Sequence, residues 1–274
     1  KTGLENRIIL ELLIEIANNR GEYDEAINLM EELIEITGSS DELTKNMSEL
    51  LLKAEQFEEV IDILQPLYEA GDHSLDILRM LLISSSMLGQ TEQEIKISKT
   101  LINEYPDLSV GYEALSFAYL QSGPNEKAVE ILLQALPKFP NDVIFPFSLA
   151  TILSSSGDYS KAKTYFLHAL TIQPDFISAQ RALAMMYEEM DDTQQSDSLF
   201  LHMIHENTND AVGQNDYAYI LSERKESSIE ELNYALELAE NAVAIEPDNA
   251  AFLDTIGWIY YKLGTYQKAE EYLQ

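Results

Sequence analysis

His202 and His205 stand three residues apart, the spacing that sets two imidazoles on one face of a helix and would begin a metal site. His168 precedes His202 by 34 residues, so the position recurs, and its place on the second helix of a hairpin suits a solvated side chain better than a ligand. The run Glu188, Glu189, Asp191, Asp192 offers oxygen ligands but lacks the alternating Asp or Asn, the central Gly and the terminal Glu of a calcium loop. It reads as a solvated turn. Ser154, Ser155 and Ser156, at the end of an apolar helical stretch, suit turn and capping chemistry. No phosphate-cradling glycine loop, nucleophile elbow or zinc signature occurs, and a chain without cysteine has neither disulfides nor thiol chemistry. No constellation of nucleophile, base and electrophile emerges, so neither catalysis nor a cofactor is expected.

The 274 residues carry 17 basic and 48 acidic side chains, a formal net charge of −31. Phosphate binding needs Lys and Arg gathered on one face, so nucleic acid and anionic membrane surfaces are disfavoured as partners. A partner with a basic flank would instead meet an attractive field that salt weakens. No stretch is long and apolar enough to span a bilayer.

The elements that position these residues follow from a period. Pro106, Pro140 and Pro174 are 34 residues apart, and the same step starts repeats at Arg7, Asp41, Leu75, Ser109, Val143, Ile177 and Ala211, with an eighth, incomplete repeat at Ala250. Five extra residues interrupt the seventh repeat between Tyr219 and Tyr234. Each frame holds two apolar segments of helical period around a turn, which predicts a helical hairpin, helix A then helix B. Gly21, Gly89, Gly123, Gly157 and Gly264 recur at the turn, and Pro106, Pro140, Pro174 and Pro247 recur after helix B. Small residues recur where helices must approach: Ser116, Ala150, Ala184, Ala218 and Gly257 in helix A, and Ala26, Ala128, Ala162, Ala235 and Ala269 in helix B. Ser228 with Glu231 predicts a capping box at the end of the inserted segment.

Gly257, Tyr260, Gly264, Tyr266 and Ala269, following Ala242 and Pro247, resemble the tetratricopeptide repeat, and the resemblance covers Arg7 to Gln274. The first three repeats depart most: Glu94 and Ser98 replace the small and aromatic residues of helix B, which puts local stability in doubt. The resemblance implies an all-α, right-handed superhelical solenoid of about eight hairpins, a single domain over residues 1–274 with helix A of each repeat lining a concave groove. It implies protein or peptide binding. Residues 1–6 read as an inter-repeat link and the chain stops at Gln274 within a helix, so the chain is expected to be part of a longer protein.

Groove-facing positions in that family fall at helix A positions two, five, nine, twelve and thirteen. They give Glu11, Glu15, Glu42, Lys45, Glu49 and Lys53 in the first two repeats. Later repeats give Arg79, Ile83, Met87, Phe117, Leu120, Phe147, Thr151, Arg181, Met185, Tyr219, Trp258 and Tyr261. The surface is expected to change from charged to apolar and aromatic, the kind that anchors a partner segment. Phe117 and Phe147 have packing against the next repeat as their alternative role, and Arg79 and Arg181 an ion pair with a neighbouring helix. The family's carboxylate clamp is absent, because Glu49 stands where an Asn is needed beside Lys45 and Asn46. Tyr217, Tyr219 and the Asp254 to Trp258 segment resemble the C-terminal repeats of bacterial adaptor proteins, including envelope lipoproteins. Self-association through the terminal repeats, near Tyr260, Tyr266 and Tyr272, and a place beside a catalytic domain of a larger enzyme are the competing expectations.

Overall fold

The computed structural model describes residues 2–123 and 125–273, with side chains from Asn6; Lys1, Pro124 and Gln274 lie outside the described residues, and so does the expected end of the chain at Gln274. Among the described residues every regular element is helical, and contacts group them into two compact units, residues 1–140 and 141–274. The first unit holds the hairpins α1 (Thr2–Arg20) and α2 (Tyr23–Thr37), α3 (Asp41–Lys53) and α4 (Phe57–Glu69), α5 (Leu75–Met87) and α6 (Thr91–Glu104), α7 (Val110–Ser122) and α8 (Glu126–Ala135). The second holds α9 (Ile144–Ser155) and α10 (Tyr159–Ile172), α11 (Ile177–Glu189) and α12 (Thr193–Glu206), α13 (Ala211–Glu223) and α14 (Ile229–Ile245), α15 (Ala250–Lys262) and α16 (Tyr266–Leu273). One expectation is corrected at once. Residues from Thr2 onward belong to α1 and not to a link.

The turn inside six of the eight hairpins places one residue in the left-handed region, whereas Gly123 takes φ of 147° in repeat four and the 224–228 link of repeat seven has no positive φ. Gly21, Gly89, Gly157 and Gly264 enter that region with φ between 65° and 80°, where a missing Cβ removes the clash. Repeats two and six put Glu55 and Asp191 at the same place, with φ of 59° and 57°. Asp tolerates this conformation better than Glu. Glu55→Gly is therefore expected to stabilise the first unit by about 0.5–1 kcal/mol, read from the midpoint of urea unfolding. An unchanged or lowered midpoint would show that the turn carries no strain.

Packing between the helices of a hairpin depends on the small residues. Ala26, Ala128, Ala150, Ala162, Ala184, Ala218 and Ala235 are fully buried, and a Cβ on Gly257 would lie 2.7 Å from Leu273 Cγ. One turn beyond the small residue of helix B, Leu64, Leu132, Phe166 and Phe200 fill the space that close approach leaves at the edges. Repeat three exchanges these volumes. Leu82 and Glu94 stand at the two small positions, and Ser85 and Ser98 stand where repeats two, four, five and six keep large side chains, all four buried. The large and small positions are exchanged rather than lost, and polar atoms are brought into the interior, Ser85 Oγ and Glu94 Oε2 among them without a hydrogen-bond partner.

The five extra residues of repeat seven are divided between two elements. The link 224–228 is longer than the 190–192 link of repeat six, and α14 runs 17 residues against 14 in α12. Ser228 Oγ accepts from the Glu231 amide at 3.1 Å while Glu231 Oε2 accepts from the Ser228 amide at 2.8 Å, the capping box that the spacing predicts.

Candidate interaction surface

Position nine of helix A points outward in repeats two to seven, because positions seven, eight and ten turn into the stack. It carries Ile83 on α5, Phe117 on α7, Met185 on α11 and Tyr219 on α13, which are 43%, 51%, 47% and 49% exposed. Large apolar side chains left in water at one recurring place are the usual material of a docking surface. In the first unit Met87, exposed at the end of α5, and half-buried Leu120 on α7 extend it; Arg79, one turn before Ile83, is exposed and makes no ion pair among the described residues.

In the second unit the positions divide by what their neighbours do. Phe147 is half-buried, its ring edge-on to Phe176 at 5.0 Å and tilted against Phe166 at 6.2 Å, so it is largely engaged in packing. Arg181 pairs with Asp210 at 3.2 Å and with Asp216 at 3.2 Å, both carried by the next repeat. Burial raises the Asp216 carboxyl above its ordinary range, and Asp210 adds to this while Arg181 opposes it. Trp258 donates its indole N–H to Glu223 Oε1 at 2.7 Å and stacks on Tyr261 at 5.4 Å. Lys262 sits 4.9 Å over the indole ring and 3.5 Å from Glu223. Tyr261 itself stays half exposed beside Tyr266. The α15 aromatics thus form a pre-ordered ledge with one acidic and one basic neighbour.

The charged positions of the first two repeats come together differently. Glu11, Glu15, Glu42, Glu49 and Lys53 line an open cavity of about 660 Å³ whose floor includes Ile14, Leu33 and Leu50. Arg7 pairs with Glu11 at 2.7 Å and Lys53 donates to Asn18 at 3.0 Å. Lys45 is engaged elsewhere, 3.1 Å from both Ser74 Oγ and Asp72 Oδ2. A backbone hydrogen bond from Ser74, that residue's hydroxyl and then Lys45 hold the Asp72 carboxyl below its ordinary range.

The other residues singled out for chemistry have structural roles. His202 and His205 are exposed, His205 lies 3.3 Å from its neighbour Glu206, and no group of metal-ligating side chains occurs among the described residues. Ser155 and Ser156 donate to the carbonyls of Thr151 and Ile152, closing the end of α9. The acidic run is not simply a solvated turn. Asp192 caps α12, and Glu188 binds Arg224 of the seventh-repeat link through both oxygens, at 2.9 and 3.0 Å. Arg224 also reaches Asp197 at 2.6 Å, and Asp197 accepts from the Tyr217 hydroxyl at 2.9 Å. Burial acts to lower the guanidinium, but the bonds to Glu188 and Asp197 prevail and hold it above its ordinary value; burial and Asp197 raise the Tyr217 hydroxyl.

Two features escape sequence reasoning. Ile8, Ile9, Leu12, Leu13 and Ile16 of α1 are all 42–54% exposed, although the frame equivalents of Leu13 are buried in the following repeats. The repeat pattern marks Leu13 as core and cannot tell that the described helices leave it uncovered. At the other end Tyr260 is buried, bonded to Glu240 at 3.1 Å and stacked on Tyr272, and Tyr266 is 65% exposed. Only Tyr266 of the three tyrosines presents most of its surface.

Residues 147–176 and 250–274 match the tetratricopeptide repeat family. No curated protein matches the sequence. Among solved structures, a tetratricopeptide repeat protein from Parabacteroides merdae aligns with a TM-score of 0.67 at 14% identity, over 93% of this chain and 99% of that one. The type IV pilus biogenesis factor PilW aligns at 0.60 and 16% identity, over 72% and 89%. Cut9, from the anaphase-promoting complex Cut9–Hcn1 hetero-tetramer, aligns at 0.56 and 18% identity over 91% of this chain, which spans 48% of that structure's chain. At these identities the likeness is one of fold.

Proposed function

The chain is a tetratricopeptide-repeat protein, and from that premise we propose that it is a non-catalytic scaffold that binds partner protein through the outward apolar side chains of helix A, those of the first unit and those of the second each forming a docking surface. Tetratricopeptide repeats mediate protein–protein contact, and no helix among the described residues is long and apolar enough to cross a membrane. The observation that carries the reading is the recurrence of Ile83, Phe117, Met185 and Tyr219, four large apolar side chains exposed at one frame position. Met and aromatic anchors give contact area with adaptable shape, and each can supply a large share of binding energy. Met87 and Leu120 extend the surface of the first unit, with Arg79 as a cation for a partner carboxylate, and Tyr261 extends that of the second. Phe147, Arg181 and Trp258 support it from beneath, since their partners are within the stack. The net charge of −31 favours a segment whose apolar anchors are flanked by Lys or Arg.

A displayed random-peptide library tests this. The wild-type chain is expected to enrich peptides with apolar anchors beside basic residues. The triple variant Phe117→Ala, Met185→Ala and Tyr219→Ala is expected to bind them more than about tenfold more weakly, with helicity and melting unchanged. Added salt should slow association more than it speeds dissociation. Equal binding by the variant would sink the reading.

A further inference from the structure

The third repeat holds a carboxyl group where its neighbours hold methyls. Glu94 takes the place of Val60, Ala128 and Ala162, is 2% exposed, and its Oε2 has no hydrogen-bond partner. The facing helix α5 contributes Ser84 and Ser85, fully buried, whose hydroxyls are also unpartnered. Ser86 of α5 is close enough to influence the Glu94 carboxyl, and buried Ser98, one turn on, donates to the Glu94 carbonyl oxygen at 2.7 Å. A protonated carboxyl has its own donor and a neutral surface that the interior accepts. A carboxylate has neither.

No cation offsets the charge. On α5 the charged groups are Asp76 and exposed Arg79; α4 presents Tyr68, with Lys96 of α6 5.0 Å over its ring. On α7 they are Glu113, accepting from Ser109, and Tyr112 and Tyr119, whose rings lie under Lys138 and Lys99. His73, before α5, faces Glu104 of α6 at 3.6 Å, and Glu92 and Lys99 complete the charges of α6. Among the described residues none of these charges acts on the Glu94 carboxyl, and the one polar side chain that does is Ser86.

We propose that the third repeat is a proton-dependent joint: Glu94 is housed as a neutral acid between α5 and α6, and its ionisation loosens that helix pair. The direction follows from burial, which raises the carboxyl above its ordinary 4.5 against the weaker opposing effect of Ser86. The folded repeat then holds its proton more tightly than the unfolded chain does. Its stabilisation is complete below 4.5 and is lost as pH rises through the folded value. Because α5 also carries Ile83 and Met87, loosening it shifts part of the first unit's docking surface. That coupling rests on the docking role; the joint itself does not.

The comparison is between the whole wild-type chain and Glu94→Gln, which keeps the shape and cannot ionise. In the wild type, local opening of α5 and α6 by hydrogen exchange is expected to rise with pH relative to Glu94→Gln, by up to about tenfold per pH unit within the window. Infrared spectra recorded from pH 4.5 upward should show a neutral carboxylic-acid band that the variant lacks, that persists above the ordinary 4.5 and that titrates with the exchange. Identical pH dependence in the two chains, or the absence of that difference band, would overturn the joint. A switch in exchange with unchanged peptide capture upholds the joint and counts instead against docking on α5.

Discussion

Replacing Arg224 with Met is expected to destabilise the second unit by about 3–5 kcal/mol, measured as the shift in urea unfolding followed by far-UV circular dichroism. The side chain is 13% exposed and grips Glu188 of α11 through two parallel bonds and Asp197 of α12 at 2.6 Å, with Glu231 of α14 at 3.8 Å. Removing the cation leaves two partly buried carboxylates facing one another, one of them still holding the Tyr217 hydroxyl. The cost is chiefly that of the abandoned charges and not the worth of the ion pairs. Adding Glu188→Gln and Asp197→Asn to Arg224→Met is accordingly expected to recover much of the loss. If Arg224→Met alone costs under about 1 kcal/mol, the network is a solvated surface cluster and the account given for it fails.

Phe200→Ala is expected to cost about 3–5 kcal/mol in the same unit, because Phe200 is fully buried and its ring lies parallel to that of Tyr217 at 5.0 Å. Phe200 is the large member that complements Ser196 at the small position of α12, so truncation leaves a hole that the rigid stack cannot close. His202→Ala, two residues along on the same helix but exposed, is the internal control and should change stability by no more than about 0.5 kcal/mol. Calorimetry on the two variants separates a core role from a general helix effect. Similar melting of both would mean that the ring carries little of the packing.

The volume exchange in repeat three shows how far pattern reading reaches. Glu94 and Ser98 are visible as departures from the repeat, and taken singly they read as weakness. The structure adds Leu82 and Ser85, which complete the exchange while confining a carboxyl group. A similar limit applies to the outward row. Its positions can be counted from the sequence, but Phe147 at position five and Tyr219 at position nine are both read there as groove-facing, and packing distinguishes a ring engaged with Phe166 and Phe176 from one standing 49% in water.

The sequence by itself determined the period, the hairpins, the turn glycines, the capping box and the small residues at close contacts. Each of these is local: it depends on residues within a turn or two, or on one repeat resembling the next. Tertiary structure alone decided which polar groups are spent on one another. Arg181 meets Asp210 29 residues on, Trp258 meets Glu223 35 residues back and Arg224 meets Glu188 36 residues back. Such pairs span about one repeat, where spacing brings many side chains near each other and the rotamers and helix offsets choose among them. That choice separates the anchors left free for a partner from the charges and rings that hold the stack together.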